Sequence, residues 1–148
     1  MLTACGSGGN DVTGKRASTE LDAQLATLQE RFTRAGEVVA PWHQATRENS
    51  APFCEKGKVR WEAVATVDVT SRTADGDSAY IGALGMLAQL GWDAGRGAGD
   101  LDDDPVAYLA AQRGGDGTAA LQLQVSIERR EPGWHYVFTL NTDCHDNN

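Results

Sequence analysis

Alternating apolar and polar residues near the end of the chain predict two β-strands. The apolar positions are Leu121, Leu123, Val125 and Ile127 in the first, and Trp134, Tyr136, Phe138 and Leu140 in the second. Pro132 and Gly133, which lie between them, are a turn signal, so we predict an antiparallel hairpin. A hairpin alone is only marginally stable in water, so the rest of the chain is expected to cover its apolar face.

Apolar residues at steps of three and four predict two amphipathic helices earlier in the chain. The first helix has its stripe at Leu21, Leu25, Leu28, Phe32, Ala35 and Val39. We expect it to begin at Ser18 or Thr19, which can cap it, and to end at Ala40 because Pro41 follows. The second helix is predicted from about Ser78 to Leu90, where Gly91 is placed to end it.

The segments between and after the helices predict further strands and two loops. Alternation over 58–69 predicts a strand, whereas 42–56 and 92–104 are predicted to be loops, the second because it is rich in Gly and Asp. Residues 105–113 allow two interpretations. Asp104 and Pro105 suit the start of a short helix, but the alternation of Val106, Tyr108 and Ala110 favours a strand that leads into the hairpin.

These elements predict an α+β fold. We expect a two-layer domain, with two helices packed on one face of a mainly antiparallel three- to four-stranded sheet. The opposite face is expected to meet water or a partner, as antiparallel sheets allow. Its predicted members are Lys58, Arg60, Glu62, Gln122, Gln124, His135 and Thr139.

The charge of the chain excludes some classes of partner. The formal net charge is −8, from 13 Lys and Arg against 21 Asp and Glu. Nucleic-acid binding needs clustered basic residues, and so does docking of a basic patch on anionic lipid, so neither is expected. No apolar run approaches the roughly 20 residues of a membrane span.

The first residues match a lipid-attachment signal. Leu2, Thr3, Ala4 and Cys5 fit the bacterial lipobox, in which the cysteine becomes the lipidated N-terminus. We therefore predict a lipobox remnant and flexible tether over 1–17 and a single globular domain over 18–148, held on the extracytoplasmic side of the cell membrane. A complete signal has a basic segment and an apolar run of about 7–15 residues, so we expect the natural gene to begin further upstream. The alternative is a chance match in a cytosolic protein.

Cys54 and Cys144 are the other two cysteines, and they bracket the predicted strands. Free thiols, a disulfide, and metal ligation together with His145 are the three alternatives. Export favours a disulfide, and the Cys and His spacing typical of zinc sites is missing. Bridged Cα atoms lie within about 7 Å, so the bridge predicts that the 58–69 strand runs antiparallel to the last strand. The 105–113 strand must then also run antiparallel to the 58–69 strand. The link between these two strands is therefore not expected to be a simple parallel crossover, and the 92–104 loop is expected to carry the chain back along the domain.

No residue pattern predicts catalysis, a metal or a cofactor. His43, His135 and His145 are scattered, and Ser126, although expected near His135 across the hairpin, has neither a nucleophile elbow nor an evident acid partner. The acidic run at 100–104 lacks the glycine and glutamate of a calcium loop and is predicted to be solvated. An enzyme is therefore only the third hypothesis for the function.

Taken together, these features resemble small actinobacterial membrane lipoproteins of the LppA/LppV-like group. The resemblance rests on the lipobox, an amphipathic helix, a Trp segment before a Cys, a helix ending at Gly91-Trp92, a glycine turn, and a terminal strand ending Thr142-Asp143-Cys144. It implies an exported, lipid-anchored domain and supplies no catalytic residues. The first hypothesis is a binding or accessory module that meets an envelope protein through the polar sheet face or the 92–104 loop. The second is a carrier for a small apolar ligand or lipid held between helices and sheet.

Overall fold

A computed structural model of the chain describes residues 13–50, 52–70, 75–97, 104–115 and 117–146. Two helices and seven strands form within these ranges. Their order is α1 (Gly14–Thr33), β1 (Val38–Asn49), β2 (Lys58–Thr70), α2 (Gly76–Gln89), β3 (Asp93–Arg96), β4 (Val106–Arg113), β5 (Leu121–Arg130), β6 (Gly133–Thr142) and β7 (His145–Asp146).

The strands form one antiparallel sheet in the order β1-β2-β6-β5-β4-β3, and β7 pairs with the start of β2. The predicted α+β class is confirmed, and so are the strand over 105–113 and the hairpin. β2 runs antiparallel to β6, as predicted, and the alternation of direction along the sheet makes β4 oppose β2 as well. The predicted number of three to four strands is wrong, because β1, β3 and β7 were missed.

β1 replaces both the predicted end of the first helix and part of the predicted 42–56 loop. α1 ends at Thr33, and the chain turns at Gly36, where a Cβ would overlap the carbonyl oxygen of Thr70. Glu37 and Thr70 then exchange two hydrogen bonds, of 2.8 and 2.9 Å, which start the pairing with β2. Pro41 is tolerated because β1 is an edge strand, and the register shifts beside it.

The first helix also begins earlier than predicted. α1 starts at Gly14, with Thr13 as its N-cap, and the Thr13 hydroxyl accepts a 3.2 Å hydrogen bond from the Arg16 backbone N–H. Gly14 fits closely against the sheet, because a Cβ there would lie 2.8 Å from Val59 Cγ2. Residues 14–17 are thus helical and not part of the tether predicted over 1–17, and the tether up to residue 12 lies outside the described residues.

β3 occupies the start of the predicted 92–104 loop. Tyr80 of α2 fixes its position, because the phenol hydroxyl donates to Tyr108 O at 2.8 Å and accepts from Gly97 N–H at 3.2 Å. β3 runs in the same direction as β2, so α2 does make a parallel crossover, to the far edge of the sheet. The link from β2 to β4 is nevertheless not a simple parallel crossover, as predicted, because the chain reverses direction between β3 and β4. Residues 98–103 lie outside the described residues.

Both helices cover the same face of the sheet. The α1 side chains Leu21, Leu25, Leu28 and Phe32 are fully buried against it. The Phe32 ring packs edge-on against Tyr136 and Phe138 of β6, with centroids 5.2 and 4.8 Å apart. The core therefore lies entirely between the helices and one face of the sheet.

Candidate functional site

Cys54 and Cys144 form a disulfide, as predicted, with their Cα atoms 5.7 Å apart. The bridge joins the loop before β2 to the chain just after β6. Because the two sulfur atoms are bonded to each other, they are not thiolate ligands for a metal together with His145. Within the described residues, no group of three or more His, Cys, Asp or Glu side chains is arranged to hold a metal ion.

The face of the sheet opposite the helices carries most of the polar side chains of the strands, and we call it the open face. Strand alternation places on it the residues predicted from the sequence. Its central members are Arg60, Glu62, Val64, Thr66 and Asp68 of β2, His135, Val137, Thr139 and Asn141 of β6, Gln122, Gln124, Ser126 and Glu128 of β5, and Tyr108, Ala110 and Gln112 of β4.

A row of amide side chains crosses the open face at right angles to the strands. The register pairs Gln112 with Gln122 and Gln122 with Asn141, and these three residues form what we call the amide row. The row continues to Glu62, whose carboxylate lies 2.7 Å from the Arg47 guanidinium of β1. The Asn141 Oδ1 atom is buried and has no hydrogen-bond partner within the described protein.

Beside the amide row lies a groove of about 510 Å³, open to solvent. Its floor includes Gly95 and Ala110, which are paired in the register of β3 and β4. A Cβ at Gly95 would meet no atom within 4 Å, so the groove is open space there. The polar residues that line it are Asp93, Gln112, Gln122, Gln124 and Asn141.

A second feature of the open face is a charged cluster of Asp68, Glu128, Arg130 and His135. The His135 Nδ1 atom is hydrogen-bonded to the Asp68 carboxylate. Arg130 lies 2.8 Å from the Glu128 carboxylate and 3.6 Å from that of Asp68. Sequence reasoning found His135 but missed Asp68, which lies 67 positions away in the chain. The pairing of β2 with β6 brings them together, and no local motif signals it.

This charged cluster supplies an oriented histidine but lacks the other parts of a hydrolytic site. Ser126, on β5, pairs with Val137, two register positions away from the Glu128–His135 pair. Within the described residues, no hydrogen bond joins the Ser126 hydroxyl to His135, whereas an activated nucleophile needs such a contact and oxyanion donors. Arg130 instead ties Asp68 and Glu128 together, so the cluster acts as a cross-strand ion-pair network.

The structure does not gather the other residues predicted as site candidates. His43 is exposed on β1, whereas His145 of β7 is buried with its Nε2 atom unpartnered in the described protein. Cys5 and the acidic positions 100–103 lie outside the described residues. Neither described helix is long and apolar enough to cross a membrane.

Within the part of the chain that the structure describes, the pKa values of two side chains away from the groove, Tyr136 and Lys58, are shifted. Burial raises the pKa of Tyr136, on the helix side of the sheet, to about 12. A hydrogen bond from the Lys58 ammonium to the Glu55 carboxylate, together with the charge of that carboxylate, raises the pKa of Lys58. Both shifts have structural causes, because Tyr136 belongs to the core and Lys58 to an exposed ion pair.

Comparison with known proteins adds no functional assignment: no family model matches the chain, and no curated protein or solved structure is significantly similar to it.

Proposed function

We propose that the chain is an extracytoplasmic lipoprotein, anchored through Cys5, whose open face is a non-catalytic binding surface for another component of the cell envelope. The observation that carries this proposal is the groove on the open face. Two helices bury one face, while none of the described residues covers the other, which extends over six strands and presents a groove and ordered polar side chains. Antiparallel sheets often leave one face to solvent, so the support for binding is the groove on that face, where several polar groups converge.

The cysteines support an extracytoplasmic location. The Cys54–Cys144 disulfide is typical of oxidising compartments and uses two of the three cysteines. The third, Cys5, stands in the Leu-Thr-Ala-Cys lipobox, so each cysteine has a role in an exported protein. The resemblance to small actinobacterial lipoproteins agrees with this assignment.

The packing favours a binding module over a carrier. A carrier would hold an apolar ligand between helices and sheet, but Leu21, Leu25, Leu28 and Phe32 already fill that layer as fully buried side chains. The groove lies on the other side of the sheet and is lined by amides and a carboxylate. An apolar ligand would leave these polar groups without hydrogen bonds, which is costly.

Fractionation of the native host tests the anchor. The natural gene, with any coding sequence upstream of Met1, is expressed as wild type and as Cys5→Ala. We expect wild type in the membrane fraction, released by detergent and labelled by a lipid analogue, and Cys5→Ala in the soluble fraction without label. Ser7→Ala, which leaves the lipobox intact, is the matched control and stays membrane-bound. Wild type in the soluble fraction without detergent would contradict the anchor.

Site-specific photo-cross-linking tests the binding surface separately. A photoreactive residue at Thr139 samples the centre of the open face, and one at Ala23 samples the exposed side of α1. We expect a discrete cross-linked product in intact cells from position 139 and none from position 23. Equal labelling at both positions would show that the open face is not the binding surface.

A further inference from the structure

The geometry of the groove points to the class of ligand that it binds. We propose that it binds a neutral, hydroxyl-rich saccharide segment laid across β3, β4, β5 and β6. This inference rests on the proposed function only in taking the open face as the binding surface, and it does not depend on the lipid anchor.

The hydrogen-bonding groups of the groove match hydroxyl groups. Each amide side chain in the groove carries an NH₂ group with two N–H donors and one carbonyl acceptor. The amide residues are Gln112, Gln122, Gln124 and Asn141. A sugar hydroxyl also donates and accepts, so a row of amides can pair with successive hydroxyls in either orientation. The Asn141 Oδ1 atom has no donor within the described protein, although it is buried. An unpaired buried acceptor is costly, and Asn141 lines the groove, so this side chain is one that still needs a hydrogen-bond donor there.

The shape of the groove suits a flat ring. Gly95 and Ala110 keep the floor low, and a Cβ at Gly95 would find no atom within 4 Å. Tyr108 stands on the same strand and the same face as Ala110, and it is 37% exposed although it is a large aromatic residue. It lies outside the lining of the groove, one same-face position along β4 from Ala110, so a saccharide that extends past the groove in that direction would meet an apolar aromatic surface.

Charge disfavours an anionic ligand. Of the described residues that line the groove, Asp93 is the one with a charged side chain, a carboxylate, and the whole chain carries a net charge of −8. A phosphate or carboxylate ligand would meet repulsion, because among the residues whose side chains the structure describes no lysine or arginine lines the groove.

A peptide strand also fits the groove poorly. Strand-like peptides bind along a sheet edge, where free backbone groups pair with them, whereas this groove crosses the strands on the face. The floor offers Gly95 and Ala110 in place of deep apolar pockets for alternate side chains. A peptide is therefore the competing outcome of the test and not the proposal.

Nuclear magnetic resonance titration of the full 148-residue chain, with its disulfide intact, tests the assignment. The probes are the neutral sugars tetra-N-acetylchitotetraose and maltotetraose at millimolar concentration, and a neutral Ser- and Thr-rich decapeptide serves as the competing ligand. We expect at least one sugar to shift the side-chain NH₂ signals of Gln112, Gln122, Gln124 and Asn141, and the peptide to shift none. Unshifted signals with both sugars, shifts elsewhere on the protein, or equal shifts with the peptide would each overturn the proposal.

Substitution at the floor provides the matched comparison. Gly95→Leu fills the groove, whereas Gly85→Leu adds the same side chain at an exposed position of α2, and neither added Cβ meets an atom within 4 Å. We expect Gly95→Leu to weaken sugar binding by about tenfold or more, and Gly85→Leu to leave it unchanged. If Gly95→Leu lacks a dispersed spectrum, Gln122→Ala, an exposed truncation, replaces it and should weaken binding too. Unchanged sugar affinity in the folded groove variant would overturn the saccharide proposal. It would leave the lipid anchor untouched, because the anchor is tested separately by fractionation of Cys5→Ala.

Discussion

Tyr136 is a residue whose burial changes its acid–base chemistry. Its ring lies 5.2 Å from that of Phe32 and 6.1 Å from that of Phe138, and only 4% of the residue is exposed. An ionised phenolate would lose its hydration there, which is why the pKa rises from 10.0 to about 12. Folding and proton binding at this residue are therefore linked.

The linkage predicts a loss of stability at alkaline pH. Above pH 10 the unfolded chain releases the Tyr136 proton while the folded chain keeps it, so stability is fully present below pH 10 and falls as the pH approaches about 12. The loss is roughly 2–3 kcal/mol over that range. Urea unfolding of wild type and Tyr136→Phe across these pH values measures it, and the variant should show a smaller slope. Equal slopes would contradict the prediction.

Thr142 extends the hydrogen bonding between β2 and β6 past the end of their backbone ladder. Its buried hydroxyl accepts from the Trp61 backbone N–H at 2.9 Å and donates to Asp143 O at 2.8 Å. We predict that Thr142→Val, which leaves both groups unpaired, costs about 1–3 kcal/mol of unfolding free energy. Thr139→Val on the open face is the control and should change it by less than about 0.5 kcal/mol. Equal effects would show that the buried hydroxyl is not needed.

Among the elements, α2 contains two glycines for which the structure shows no requirement. Gly82 and Gly85 are exposed within the helix, and a Cβ at either would meet no atom within 4 Å. We predict that Gly82→Ala and Gly85→Ala each raise the unfolding free energy by about 0.5–1 kcal/mol, because alanine loses less backbone entropy in a helix. Chemical denaturation provides the measurement.

Gly133 provides the opposite case at the start of β6. A Cβ there would overlap the Val69 carbonyl oxygen and the Thr70 backbone, so the two strands approach too closely for any side chain. Gly133→Ala should therefore lower the unfolding free energy while the α2 substitutions raise it. If all three glycine-to-alanine variants changed the unfolding free energy in the same direction, the close backbone approach at Gly133 would not explain why a glycine stands there.

For the whole molecule, the disulfide is the longest-range constraint. It closes a sequence separation of 90 residues and holds the end of the sheet where β2 starts and β6 ends. In the chain-entropy model a loop of this length contributes about 4–5 kcal/mol. The Cys54→Ala/Cys144→Ala double variant should lose about this amount in urea unfolding, and wild type treated with reductant should approach it. Unchanged stability in both would contradict the prediction.

Local residue patterns were enough to predict the elements that bury one face. Period-two alternation predicted β2, β4, β5 and β6, and the Leu21–Phe32 stripe predicted α1. These elements bury one side, and burial of one side requires apolar residues at a regular spacing in the local sequence. The two cysteines left after Cys5 also determined the disulfide and, through its short reach, the relative direction of β2 and β6. The lipid anchor stays a prediction from sequence.

The other features depend on contacts between strands that are distant in the chain. Most side chains of β1 are exposed, so no alternation marks it, and it forms because its backbone pairs with β2. The pairing with β2 also ends α1 before its predicted end. The apolar stripe continues to Ala35 and Val39, but the chain leaves the helix because Gly36 packs closely against Thr70 of β2. The Asp68–His135 pair, the amide row and the groove each depend on the register between strands distant in the chain, and register is a property of the assembled sheet.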